Sequence, residues 1–198
     1  SAGLSPEGGL FLPTRLPRFR VEDLAGLPFL DLQACILKAF FGDLQADWEA
    51  LSRAYVERFS HPDLCPLKRL ADFSVLELYH GPTHAFKDVA LTALPFLIQA
   101  AHRDLGRHET LTILTATSGD TGSASLEAFR DVPGFEICVF YPRHGVSPIQ
   151  KRLMQTARGR NVHVCALHGN FDDAQAGVKR IFQNQARFQT RFSSANSI

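Results

Sequence analysis

The amino-acid sequence predicts an α/β protein with a mainly parallel sheet, preceded by a small helical region. Two observations carry that prediction. Between Val21 and Phe59 apolar residues recur at three- and four-residue steps, the period of a helix face. After Asp72 short apolar runs alternate with amphipathic segments, the rhythm of βαβ units with right-handed crossovers. The chain thus divides into residues 1–72, irregular and then helical, and residues 73–198, the α/β portion.

Taken in order, residues 1–20 form an irregular lead-in, because Gly8-Gly9, Pro13 and Pro17 break any regular element. Leu30, Ala34, Leu37 and Phe41 mark one helix, and Trp48, Leu51, Tyr55 and Phe59 a second. Gly42-Asp43 separates them, and Asp47 is placed to cap the second. His61-Pro62-Asp63 and Cys65-Pro66 make a loop. Strands are expected near 75–79, 111–116, 136–141, 161–166 and 190–194, and helices near 85–104, 121–130, 147–158 and 171–188. Phe171, Ala174, Val178, Ile181 and Phe182 share the core face of the last helix. Pro95 should kink or interrupt the first.

Composition excludes several classes of function. With 198 residues and 45% hydrophobic content the chain can bury a core. A net charge of +1 offers no electrostatic footprint for nucleic acid or an anionic membrane. No apolar run reaches the length of a membrane span. Ser1-Ala-Gly-Leu-Ser-Pro6 has neither a basic region nor an apolar core of a signal peptide, so the expected setting is cytoplasmic. Cys35, Cys65, Cys138 and Cys165 lie far apart with no CxxC pair, which argues against a disulfide framework or a structural zinc. His163, Cys165 and His168 cluster, but a fourth ligand is missing and no metal is expected. The start on serine and the stop after an apparent strand suggest a piece of a longer protein.

Two stretches carry chemistry. In Glu77-Leu-Tyr-His80-Gly-Pro-Thr83-His-Ala-Phe-Lys87-Asp88 a strand-like run breaks at Gly81-Pro82, which bars helical geometry there. Thr83 is a candidate cap for the helix that follows. Lys87 then sits near that helix's N-terminus, where the dipole and partial burial would both favour the free amine. Taken alone, an exposed first-turn lysine is the more ordinary reading. His80 is a candidate proton shuttle, although packing explains it equally well.

The second stretch, Thr115-Ala-Thr117-Ser118-Gly119-Asp120-Thr121-Gly122, joins a strand to a helix. Its glycines allow close approach of backbone to a ligand, and its amides and hydroxyls face where a helix dipole favours an anion. A capped turn without a ligand is the competing reading. It is not a P-loop, because the Lys-Ser/Thr pair is absent. Arg143, His144, Lys151 and Arg152 form a basic patch that could meet a substrate phosphate, although a solvated face is the more ordinary explanation.

HGPTHAFKD, followed by LTILTATSGDTGSA, resembles the threonine synthases, pyridoxal 5'-phosphate (PLP) enzymes of the tryptophan synthase β-like class. The resemblance continues through FYPRHGVSPIQKRLM, GNFDDAQAGVK and SSANSI, and reaches back to SPEGGLFLP. It implies a three-layer, fold type II α/β domain in which Lys87 is the catalytic lysine that holds PLP covalently. It further implies that Asp120 faces the cofactor's 3-oxygen, where the wider class commonly has asparagine, and that Thr117, Ser118, Gly119 and Thr121 bind the substrate carboxylate. The implied reaction converts O-phosphohomoserine and water to threonine and phosphate. A lyase or dehydratase acting on a related amino acid would show the same lysine and loop, and a truncated non-catalytic paralogue is a third reading. In this family the glycine-rich loop for the PLP phosphate lies further toward the C-terminus. Gly169-Asn170 resembles such a loop only superficially. The isolated chain is therefore expected to bind PLP weakly and not to turn over.

Overall fold

The computed structural model describes residues 12–196, so the lead-in glycines, most of SPEGGLFLP and the last two residues of SSANSI lie outside the described residues. Its contacts divide the chain into two compact units that meet in sequence at Arg107 and His108.

The first unit is largely helical. It contains α1 (Val21–Leu24), α2 (Phe29–Phe41), α3 (Trp48–Arg58), β1 (Leu67–Arg69), β2 (Ser74–Leu76) and α4 (Lys87–Asp104). Asp47 caps α3 as expected, its carboxylate accepting the Ala50 N–H at 2.9 Å. The predicted stripe Leu51, Tyr55 and Phe59 is buried and packs with Leu64 and Ala93, while Leu30, Leu37 and Trp48 close over it. The Tyr55 hydroxyl donates to the Val89 carbonyl, tying α3 to α4, and burial pushes that phenol above its ordinary pKa.

One expectation fails in this unit, and another is narrowed. The run expected as a strand over 75–79 forms only Ser74–Leu76, which pairs antiparallel with β1 in a separate hairpin. Both strands are exposed along their length, so apolar content that reads as a buried strand finds no sheet here. Of the two outcomes expected of Pro95, interruption does not occur: α4 runs unbroken from Lys87 to Asp104 with Pro95 buried inside. Burial of an apolar face outweighs the one helical hydrogen bond that proline deletes.

The second unit is the α/β part: β3 (Leu111–Ala116), α5 (Asp120–Phe129), β4 (Phe135–Pro142), α6 (Pro148–Thr156), β5 (Val162–Leu167), α7 (Phe171–Gln183) and β6 (Arg191–Ser194). All strand pairs are parallel, in the order β5-β4-β3-β6. Strand alternation sorts the two faces. Leu114, Ala116, Cys138 and Phe140 pack against Ala174 and Val178 of α7, whereas Val139 faces Gly122 of α5 and Met154 of α6. Three layers result, as expected. The α7 N-terminus carries a full capping box, with Asn170 and Asp173 each accepting the other's N–H, so Gly169-Asn170 serves helix initiation. Asn161, buried, bonds the Phe129 and Phe135 carbonyls and the Asp131 N–H, fixing the loops at the opposite end of the sheet. No described helix is long and apolar enough to cross a membrane.

Candidate active site

The chain leaves β3 for β4 on one side and, after α7, returns to pair β6 on the other. Strand order reverses at β3, and open α/β sheets place ligand sites at the carboxyl ends of strands at such a point. The loop Thr117-Ser118-Gly119 leaves that end and enters α5 at Asp120.

Thr117, 2% exposed, builds the loop from inside. Its hydroxyl accepts the N–H groups of Gly119 at 2.9 Å and Gly122 at 3.0 Å and donates to the Gly119 carbonyl at 3.1 Å. Gly122 must be glycine, because a Cβ would lie 2.5 Å from the Thr117 methyl and 2.7 Å from the Met154 sulfur. Ser118 and Asp120 are exposed and Thr121 is half-buried, so their polar groups face outward at the start of a ten-residue helix. One oxygen of Asp120 accepts the Gln150 side-chain amide at 2.6 Å. Gln150 also covers Gly119, where a Cβ would meet its amide at 2.4–2.5 Å. Behind the loop, Asn196 accepts the Ala116 N–H at 2.9 Å and donates to the Ala116 carbonyl at 2.6 Å, extending the ladder by one step. Sequence reasoning gave no role to Gln150 or Asn196; both lie in the quoted motifs, and that was the available signal.

In the first unit, Lys87 is the first residue of α4. The structure corrects the expected cap: the N-cap residue is Phe86, without a side-chain bond, while Thr83 is turned to Asp88. Asp88, also passed over, is 2% exposed, and burial pushes its carboxyl above the ordinary aspartate value although the Thr83 bonds oppose the shift. Lys87 is half-buried, and its Nζ stands 4.2 Å from the centre of the Phe86 ring, a cation–π position. His80 is held by Glu77 at 2.8 Å and makes tilted ring contacts with Tyr79 and His61, with ring centres 4.6 and 4.8 Å away. That hydrogen bond keeps the Glu77 carboxyl below its ordinary value.

Of the weaker candidates, His163 is bonded to Glu136 at 2.8 Å, and Cys165 lies beside Cys138, whose thiol burial pushes up to about 12. No three His, Cys, Asp or Glu among the described residues are grouped to hold a metal ion. Arg143, His144 and Arg152 are exposed.

The chain is similar to known threonine synthases along nearly all of its length. Residues 1–55 match the family model for the threonine synthase N terminus. The chain is 41% identical, over all of its length, to threonine synthase of Pseudomonas aeruginosa, of which it covers 43%. It is 37% identical to the Escherichia coli threonine synthase, with 99% of the chain and 45% of that protein aligned. Among solved structures it superposes on PLP-bound threonine synthase from Brucella melitensis with a TM-score of 0.85 at 38% identity, over 99% of the chain and 43% of that structure. The yeast threonine synthase structure gives 0.84 at 33% identity, with 99% and 42% covered. The chain therefore spans less than half the length of the relatives it matches.

Proposed function

We propose that this chain, which belongs to the threonine synthase family, carries the lysine and the carboxylate-binding loop of a PLP-dependent enzyme that makes threonine and phosphate from O-phosphohomoserine and water. The observation that carries the proposal is the alignment of essentially the whole chain, both motifs included, with proteins of that name. We also assign residues 1–72 to the N-terminal region of the family and 73–198 to part of its cofactor-binding domain, in a cytoplasmic setting.

The side chains fit the part of PLP that they would meet. Lys87 offers a half-buried amine on the first turn of an 18-residue helix, with an aromatic face beside it and no ion-pair partner among the described residues. When bound, PLP supplies the electron sink that lets protons leave the substrate's Cα and Cβ and phosphate leave its Cγ. Lys87 Nζ would hold the cofactor and, once released by the substrate amine, would carry protons. Asp120, one of whose carboxylate oxygens accepts from the Gln150 side-chain amide, would meet the cofactor's 3-oxygen. Ser118 and Thr121 give hydroxyls, and the first amides of α5 give an N–H cradle, for the substrate carboxylate. Gly119 lets the loop pass beneath Gln150 without a clash, and Thr117 contributes by holding the loop's shape, its hydroxyl being engaged within it.

Because the chain spans 43% of its Pseudomonas relative, the whole reaction is proposed for the protein together with the remaining length of such relatives. The chain alone is expected to bind PLP weakly and to form no threonine; measurable threonine from it would refute that part. The deciding experiment is a PLP titration of the chain and of Lys87→Ala, read by absorbance and borohydride trapping. Trapped cofactor lost in the variant supports the assignment. Equal trapping in both proteins sinks it and favours a non-catalytic paralogue. A panel of phosphorylated amino acids, assayed with the remaining length restored, separates threonine synthesis from a related lyase or dehydratase.

A further inference from the structure

The turn that presents Lys87 is closed on itself by one carboxylate. Asp88 Oδ2 accepts the Thr83 N–H at 2.8 Å, and Oδ1 accepts the Thr83 hydroxyl at 2.7 Å. The Asp88 N–H donates to the Ala85 carbonyl at 3.0 Å, and the His84 N–H to the Gly81 carbonyl at 3.1 Å. A Cβ on Gly81 would lie 2.5 Å from both Cβ and Oδ2 of Asp88, so the carboxylate fits only against glycine. His84 takes a positive φ of 59°, and its ring Nδ1 lies 3.1 Å from the Tyr79 carbonyl. Lys87 is enclosed in the span that these bonds close.

Helix economy does not explain this arrangement. Thr83 is a good capping residue, and capping with it would cost no desolvation. Instead its hydroxyl and its amide both serve a carboxylate that is almost wholly removed from water, and a buried charge is tolerated only when so paired. Asp88 also makes no ion pair with Lys87; adjacent helical residues point apart. The bonds therefore fix the path of the turn and leave the lysine's charge alone.

We propose that Asp88 is the positioning residue for Lys87. Held by both donors of Thr83 and seated against Gly81, its carboxylate locks the first turn of α4 and sets the direction in which the Lys87 amine is presented. The proposal rests on the reading of Lys87 as the lysine that holds PLP, and its test separates the two.

The test uses the 198-residue chain and its variants Asp88→Ala, Asp88→Asn, Thr83→Val and Thr83→Ser. Two chemistries are mapped lysine by lysine by peptide mass spectrometry: borohydride trapping of PLP, and reductive methylation without PLP. Lys38, Lys68, Lys151 and Lys179 are the internal references. In Asp88→Ala and Thr83→Val, PLP trapping at Lys87 should fall about tenfold or more, as expected when a reacting group is misplaced by about an ångström. Its methylation rate relative to the four references should also change. Asp88→Asn should rescue, because its amide accepts from the Thr83 N–H and donates to the Thr83 hydroxyl, and Thr83→Ser should rescue likewise. Unchanged Lys87 selectivity in folded Asp88→Ala and Thr83→Val would overturn the proposal, and so would failure of both rescues. If Asp88→Ala does not fold, Thr83→Val, which keeps the carboxylate, decides by the same criterion. Wild-type trapping no faster at Lys87 than at the references would instead refute the assigned function, and the methylation profile would still decide the role of Asp88.

Discussion

The turn into α4 and the turn into α5 both bring backbone donors to a helix start, and each recruits one buried side chain to take them. In the first, the acceptor is Asp88, which follows the turn and carries a charge. In the second it is Thr117, which precedes the turn and is neutral. A carboxylate gives two oxygens and strong bonds but must be stripped of water; a hydroxyl gives fewer bonds at little cost in desolvation. The rigidity of the lysine turn should therefore depend on protonation, and that of the anion loop should not.

Removing the charged anchor should have the largest effect. Asp88→Ala strands two donors in a buried site and should lower unfolding free energy by about 3 kcal/mol, measured by denaturant titration. A loss under about 1 kcal/mol would mean that the turn holds itself, and the contrast would fail. Thr117→Val keeps the side-chain shape, leaves the Gly119 amide unpaired and reduces the Gly122 amide to its bond with the Gly119 carbonyl, for a loss of about 2 kcal/mol in the same assay. The same substitution two residues earlier should have the opposite sign. Thr115 is fully buried and its hydroxyl has no partner among the described residues, so Thr115→Val should stabilise by about 1 kcal/mol and raise Tm. If both valine variants lose stability, Thr115 has a partner after all.

The pH test isolates charge. Because burial holds the Asp88 carboxyl above its ordinary value, the folded protein takes up that proton at a higher pH than the unfolded chain does. Asp88 therefore weakens the fold at neutral pH, and the penalty disappears as pH falls through the folded value toward the ordinary aspartate value. Asp88→Asn should match or exceed the wild type at pH 7, with an advantage that shrinks across that window; Thr117 variants should track the wild type at every pH. An Asn advantage that grows on acidification would reverse the assignment. The smallest effect belongs to Gln150→Ala, about 0.5 kcal/mol or less, since its amide contact with Asp120 lies at the surface.

The parallel sheet and its helices were legible in the sequence because each apolar run is fully used: β3, β4, β5 and β6 fall where the runs are, and Ala174 and Val178 are buried on α7 as the stripe requires. The run around Val75 misled because apolarity signals burial and cannot say against what; here it meets only β1. The two motifs were legible as loops that open helices. What they do internally was not. An acidic residue in a first turn reads as a complement to the helix dipole, and nothing local reveals that Asp88 turns back five residues to Thr83. The Thr117 hydroxyl reads as a ligand group by type, whereas its geometry engages it with the loop's own backbone. Asn196 and Ala116, eighty positions apart, meet only once β6 lies beside β3.

The fit of Gly81 against Asp88 also bears on how such a turn can be inherited. With 2.5 Å between a would-be Cβ and the carboxylate, no side chain can appear at 81 while aspartate stays at 88. Nor can 88 enlarge while Thr83 keeps both of its bonds. Exchanges that keep the bonds, such as Asp88→Asn or Thr83→Ser, can pass one at a time, whereas any other solution leads through intermediates with a loosened turn. Gly81 and the bonded pair at 83 and 88 should therefore be passed on or lost together.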